Sequence, residues 1–286
     1  MFVLLWSSGA IFSELGLRHA APFAFLVLRF GLALLALLIA GLGRHAWLPR
    51  RGTRLRVAAT GVLLSGGYSI SYLLALDHGV PPGMLATVLG IQPILTLLVL
   101  EPRASLQRLM GLVLALCGLV LVVYGGLSFR HLSISGVLFA LAALGCMTSG
   151  AMLQKGIKLA PLEVLPLQYG ASLLLCLVFV PFEPFHFQAT MGFLVPLLWL
   201  GVVISVIAQL VFYRLIQAGN LVNVTSLFYG VPAVTAAMDY LFFGNRLPWI
   251  SLIGMAAILL GVMQVYRTGA GNETVLETGT LPRRRQ

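Results

Sequence analysis

The polar side chains of this 286-residue chain that could do chemistry are few, and they sit inside long apolar runs. Tyr68 and Tyr72 stand at i and i+4, which puts both on one face of a helix. Gln209 and Tyr213 form a second such pair, 141 residues later. Phenol and carboxamide groups beside an apolar ring suit reversible hydrogen bonding to an amphipathic solute. The two pairs read as facing walls of a solute site, ahead of interfacial anchoring by tyrosine, because Tyr68 and Gln209 lie too deep in their runs for the headgroup level. Gln92 precedes Pro93, and Tyr229 and Gly230 stand just before Pro232. A proline inside an apolar helix frees a backbone carbonyl one turn earlier. Matched helix breaks in two halves of a chain point to a binding site, although a packing kink is the plainer alternative. Hydroxyls recur as Ser7, Ser8 and Thr148, Ser149. Such groups mostly bond back to their own helix, so packing is the leading reading, with Thr148 kept among the solute contacts. Ser65, Gly66 and Gly67 remove bulk beside Tyr68, either widening a cavity or letting helices approach.

No set of residues suits catalysis. His19, His45, His78, His131 and His186 are scattered at loops and run ends, without metal-ligand spacing or a nucleophile–base pair. Cys117, Cys146 and Cys176 lie in apolar runs with no Cys-x-x-Cys, so free thiols are expected, and neither metal nor cofactor. Charges in or near the runs are Glu14, Arg29, Lys155, Glu163 and Asp239. Glu14 is placed to pair with Arg18 at i+4. Arg29 sits about 10 Å from the start of its helix at 1.5 Å per residue. It reads as snorkelling outward or holding carbonyls of a neighbouring span, ahead of solute contact. A buried acidic pair for obligatory proton coupling is absent, as is a Lys/Arg cluster for phosphorylated cargo.

The elements that position these residues are transmembrane helices. Hydrophobic residues make up 59% of the chain, charged residues 9%, and the mean hydropathy is +1.00, a composition whose solvent must be lipid. A span needs about 20 apolar residues. Ten are predicted, at 1–17, 22–43, 57–77, 83–100, 106–126, 133–156, 163–182, 193–216, 222–243 and 248–267. The chain opens directly in Met1-Phe-Val-Leu-Leu-Trp6 without a basic leader, which reads as a first span lacking its leading residues and not as a signal peptide. With the N-terminus inside, the inner loops hold fourteen cations, among them Arg44, Arg50, Arg51, Arg54, Arg56, Arg103, Arg108, Lys155, Lys158, Arg214, Arg267 and Arg283 to Arg285; the outer loops hold Arg18, Arg130 and Arg246. That bias predicts both termini in the cytoplasm. The net charge of +10 is thus an orientation signal and not a nucleic-acid surface. Residues 268–286 are polar and predicted to be a disordered cytoplasmic tail.

The chain also repeats itself. Pro22-x6-Arg29-Phe30-Gly31 recurs as Pro161-x6-Gln168-Tyr169-Gly170, and Pro93 recurs as Pro232, both at an offset of 139; Gly111-x6-Gly118 recurs as Gly254-x6-Gly261 at 143. The repeated glycines are candidate helix-packing positions. Two five-helix units follow, 1–126 and 127–267. Because five is odd, the second unit starts on the opposite side of the membrane and the repeats are inverted. Inverted repeats about a midplane site are a transporter architecture.

With these blocks in order, the chain resembles the drug/metabolite transporter superfamily, specifically its ten-helix EamA-type members. The resemblance rests on Trp6-Ser-Ser-Gly9, Pro22 with Arg29, Ala75-Leu-Asp-His-Gly79, the prolines of spans four and nine, and the paired glycines of spans five and ten. It departs at Glu101, eight residues after Pro93, where span four looks shortened or bent. The resemblance implies a central cavity lined by spans one, three, four, six, eight and nine. Among its branches the chain looks most like the YddG-type amino-acid exporters. The expected function is export of small metabolites, aromatic or other neutral amino acids foremost, by a monomer in the bacterial inner membrane. Multidrug efflux and nucleoside or other metabolite transport on the same fold are the alternatives. A channel would need rings of charge or a carbonyl filter, and neither is visible. The expected solute contacts are Tyr68, Tyr72, Gln92, Thr148, Gln209, Tyr213 and Tyr229.

Overall fold

Helices that must face lipid carry their apolar residues outward and their small or polar ones inward, and this chain is arranged so. The computed structural model describes residues 1–41, 48–80, 82–102, 104–124, 133–182, 185–231, 233–234 and 249–278, with side chains left aside at 10, 82, 83, 124 and 269–278. Leu35, Ile39, Leu98, Val99, Leu174, Leu259 and Leu260 are exposed, whereas Gln92, Thr96, Gln168, Ser172 and Thr225 are buried. Only helices that satisfy their own backbone can present such a surface to hydrocarbon. No strand occurs among the described residues, where extended pairing is limited to an isolated bridge between Ala20 and Phe187.

Among the described residues, seven helical stretches are long and apolar enough to cross a membrane: Pro22–Ala40, Arg51–Asp77, Leu106–Val123, Ile134–Lys155, Pro161–Phe182, Met191–Ala218 and Trp249–Thr268. Phe2–Leu17 and Met84–Leu100 are shorter apolar stretches. The elements are α1 (Phe2–Leu17), α2 (Pro22–Ala40), α3 (Arg54–Gly61) running through a π-helical segment into α4 (Tyr68–Asp77), α5 (Pro82–Leu89), α6 (Gln92–Leu100), α7 (Leu106–Tyr124), α8 (Ile134–Lys155) and α9 (Pro161–Phe179). They continue with α10 (Met191–Leu198), a second π-helical segment into α11 (Gln209–Ala218), α12 (Leu221–Ser226) and α13 (Trp249–Thr278). Pro22 and Pro161 open α2 and α9, where a missing N–H costs nothing. The last helix runs to Thr278, past the predicted boundary near residue 267. Pro232, Asp239, the cations Arg44, Arg103, Arg130, Arg246 and Arg283 to Arg285, and the expected ninth span from residue 235 onward lie outside the described residues.

The helix α7 crosses α13 at the repeated glycines. A Cβ on Gly118 would lie 2.6 Å from the Gly254 carbonyl oxygen, and one on Gly254 lies 2.6 Å from that of Gly118. A Cβ on Gly111 or Gly261 would meet the other's carbonyl at 3.0 and 2.5 Å. The order of these contacts makes the two helices antiparallel, with backbones in touch as small residues permit. Gly118→Val is therefore expected to destabilise the fold by about 1–3 kcal/mol or more, the cost of overpacking. It should lower the unfolding midpoint in detergent, while Gly145→Ala, with open space at its Cβ, leaves the midpoint unchanged.

Candidate functional site

Two π-helical segments shape the middle of the molecule. Val62–Gly67 ends directly before Tyr68 and Trp199–Ala208 ends directly before Gln209, so the two segments terminate 141 residues apart. Wider i→i+5 turns rotate the residues that follow and are frequent at functional sites. Both segments contain closely packed glycines: Gly66 packs on Ser172 and Leu175 of α9, Gly67 on Cys146 of α8, and Gly201 on Leu32 of α2. Close helix approach is thus the role these glycines fill.

Of the two expected helix breaks, that at Pro93 lies among the described residues, and that at Pro232 does not. Between α5 and α6 the chain turns at Gly90 and Ile91, immediately before Gln92 and Pro93, and Thr96 returns its hydroxyl to the Gln92 carbonyl at 2.8 Å. After α12 the helix tightens into a 3-10 turn at Leu227–Tyr229.

The expected solute contacts divide into two groups. Tyr68 and Tyr72 are partly accessible, their ring centroids 5.7 Å apart. Gln92, Thr148 and Gln209 are buried, and the Gln92 carboxamide and the Thr148 hydroxyl have no hydrogen-bond partner among the described residues. Ser65 and Thr148 lie on helices that touch, since Gly150 of α8 abuts Leu64. Ser7, Ser8 and Ser149 do bond back to their own helices, and Ser8 additionally accepts the Trp199 indole N–H at 2.9 Å. Tyr213 and Tyr229 are fully buried away from the accessible tyrosines. The Tyr213 hydroxyl donates to Gln168 at 2.7 Å, and Gln168 donates to Gln154 at 2.9 Å. Tyr229 sits in the core around Leu97 and Leu119, its hydroxyl unpartnered.

Arg29 departs from its expectation. Among the described residues it holds a hydroxyl of a neighbouring helix and no carbonyl: its Nε donates to Ser205 Oγ at 3.0 Å. The guanidinium carbon lies 5.9 Å from the Phe30 ring, and Tyr68, Tyr72 and Tyr169 lie within electrostatic reach. Tyr169 in turn donates to the Ser205 carbonyl at 2.5 Å, and its ring meets Phe30 at 5.6 Å. The repeated Arg-Phe and Gln-Tyr dipeptides therefore pack against each other.

The end of the bundle that carries Phe2 is closed. Phe2, Trp6, Phe212 and Phe228 pack with centroids 5.2 to 5.5 Å apart, joining α1 to α11 and the turn after α12. Behind this cluster Lys155 donates to the carbonyls of Ile216 and Gly219, at 2.7 and 2.5 Å, covering the C-terminus of α11. Arg108, expected in a loop, is 1% exposed within α7. It pairs with Glu101 and donates to Asn220 and Asn223 at 3.1 and 2.7 Å. Asn220 closes the ring by donating to Glu101 at 2.8 Å while capping the start of α12. Sequence reasoning missed this network, because its members come from three separate segments. The bend after Leu100 is its one visible trace. At the other end Glu14 pairs with Arg18 at 2.9 Å, both well exposed. No metal-binding group of His, Cys, Asp or Glu occurs among the described residues.

Comparison with known proteins adds a frame to this geometry. The model of the EamA-like transporter family matches residues 1–124 and 134–267. A "Probable amino-acid metabolite efflux pump" of Salmonella typhimurium is 23% identical over 283 residues, covering 92% of this chain and 91% of the relative. The "Uncharacterized transporter YvbV" of Bacillus subtilis is 24% identical over 275 residues, covering 92% and 88%. A crystal structure superposes with a TM-score of 0.77 at 22% identity, covering 95% of this chain and 96% of the other, which speaks to the fold alone.

Proposed function

The chain belongs to the EamA-like transporter family, within the drug/metabolite transporter superfamily, and from that premise we propose that it exports small neutral metabolites, aromatic or other neutral amino acids foremost. The work is done by alternating access between two inverted five-helix repeats, 1–126 and 127–267, ten spans in all. The protein acts as a monomer in the bacterial inner membrane with both termini in the cytoplasm.

One observation carries the reading: π-helical segments stand at matched positions in the two halves, each ending directly before a predicted solute contact, Tyr68 or Gln209. Contacts between the two units support the inversion: Phe30 meets its repeat equivalent Tyr169, and Gly111 with Gly261 and Gly118 with Gly254 form a reciprocal pair. Two halves related in this way can rock about a midplane site and open it to either side in turn. Buried Gln92 and Thr148 atoms without partners among the described residues are costly in hydrocarbon, and a polar solute or its water satisfies them. Amino acids are favoured by the partly aromatic wall and by the name of the Salmonella relative. Multidrug efflux has no such support, since Glu14, its best candidate for a buried acid, is exposed and paired.

Removing a buried hydrogen-bonding contact costs about 1–3 kcal/mol, so Tyr72→Ala and Gln209→Ala are each expected to lower subsaturating uptake about tenfold or more. Purified variants in proteoliposomes, assayed with labelled amino acids, read this directly. Unchanged uptake of every amino acid by both variants would remove the proposed site.

A further inference from the structure

Arg29 is a cation inside the expected second span, with no carboxylate partner among the described residues. Among the described residues the ion pairs are Glu14 with Arg18 and Glu101 with Arg108, and Arg29 is in neither. Its hydrogen bonding among those residues is the Nε donation to Ser205, so the two terminal nitrogens of the fork meet no acceptor among the described residues. Arg29 is nonetheless only half-buried, as are Tyr68 and Tyr72 within its electrostatic reach. A charge held in hydrocarbon without a counter-ion is expensive and marks a ligand or ion path. Ser205 and the Phe30 ring hold the guanidinium by its Nε edge and one side of its plane, so the outer fork stays presented.

We propose that Arg29 receives the carboxylate of the transported solute. The planar fork of a guanidinium matches a carboxylate through two parallel N–H···O bonds. One cation without a second Lys or Arg beside it among the described residues suits a single negative charge, in keeping with a monocarboxylate and not a phosphate dianion. The paired rings of Tyr68 and Tyr72 flank the same space and offer an apolar face for the group the carboxylate carries. Ser205 is a positioning residue: buried in the π-helical segment before Gln209, it fixes Arg29 and, through its carbonyl, Tyr169. This deepens the carrier reading and rests on it for the meaning of transport, but its first test is binding alone.

The test measures ligand-induced thermal stabilisation of the purified full chain in detergent. The probes are the neutral amino acids, 3-phenylpropanoate and branched aliphatic monocarboxylates, each against its carboxamide. The wild type should be stabilised by at least one acid and by none of the amides. Arg29→Gln should weaken that acid's binding roughly tenfold to a hundredfold, since a charge-assisted bidentate contact is lost. Arg29→Lys keeps the charge without the fork and should bind at an intermediate strength. Ser205→Ala should bind the acid more weakly than wild type but still prefer it to the amide. If Arg29→Gln does not fold, the acid–amide preference of the wild type and the loss in Arg29→Lys decide. Equal stabilisation by acid and amide, undiminished acid binding in Arg29→Gln or Arg29→Lys, or no response to any acid overturns the proposal. A response to simple monocarboxylates but not amino acids, abolished in Arg29→Gln, keeps the proposal and refutes amino acids as cargo.

Discussion

Arg108→Ala should destabilise the protein by about 3–5 kcal/mol, the cost of breaking a buried ion pair by removing one partner. Arg108 is almost wholly enclosed and holds Glu101, Asn220 and Asn223 together, so truncation leaves a carboxylate and two carboxamides facing an unfilled space. The effect reaches beyond one pair because Asn220 also caps α12 and Asn223 accepts the Tyr266 hydroxyl at 3.1 Å on its carbonyl. The unfolding midpoint of purified Arg108→Ala in detergent checks this. Glu101→Gln with Arg108→Met should recover much of the loss, because removing both charges leaves neither orphaned. A single variant within about 0.5 kcal/mol of wild type, the range of ordinary surface substitutions, would show that the network bears no weight.

Covalent closure of the Phe2 end should stop transport outright. The aromatic cluster of Phe2, Trp6, Phe212 and Phe228 bridges α1, α11 and the turn after α12, elements that come from both proposed repeats. In alternating access this packing must part once per cycle. A chain with Cys117, Cys146 and Cys176 replaced by alanine, and Phe2→Cys and Phe228→Cys introduced, can be joined by a short cleavable thiol cross-linker. Uptake is expected to fall to background on cross-linking and to return on reduction, whereas either single cysteine variant keeps its activity under the same treatment. Full transport by the joined protein would mean that this end does not open.

Much of the fold is legible in the sequence because lipid enforces a simple rule. Apolar runs of span length had to be helices, and the described helices fall where the runs do. The repeated glycines were legible as packing positions because backbone contact admits no side chain, and α7 and α13 meet at them. The site was legible less evenly. Tyr68 and Tyr72 share a face by helical spacing alone, yet the π-helical turns that rotate them depend on tertiary packing of Gly66 and Gly67, which spacing does not encode. Tyr213 matches Tyr72 in the repeat, but its hydroxyl is absorbed by Gln168 from another span. Arg29 was misread for the same reason. A cation inside a run has a recognisable cost, while its partner Ser205 lies 176 residues away and carries no local mark. The Arg108 network joins three segments through carboxamide side chains whose types are common in loops, and so it left no pattern to read.

The central claim is that this chain is a carrier for small carboxylate-bearing metabolites, and counterflow in proteoliposomes tests it most directly. Vesicles preloaded with an unlabelled neutral amino acid, then diluted into the same amino acid in labelled form, should take up label above its equilibrium level and then lose it. For at least one amino acid of the panel the wild type should show this transient overshoot, and Tyr72→Ala and Arg29→Gln should lack it. Uptake that rises to equilibrium without overshoot for every amino acid, or an overshoot that neither variant diminishes, would contradict the account.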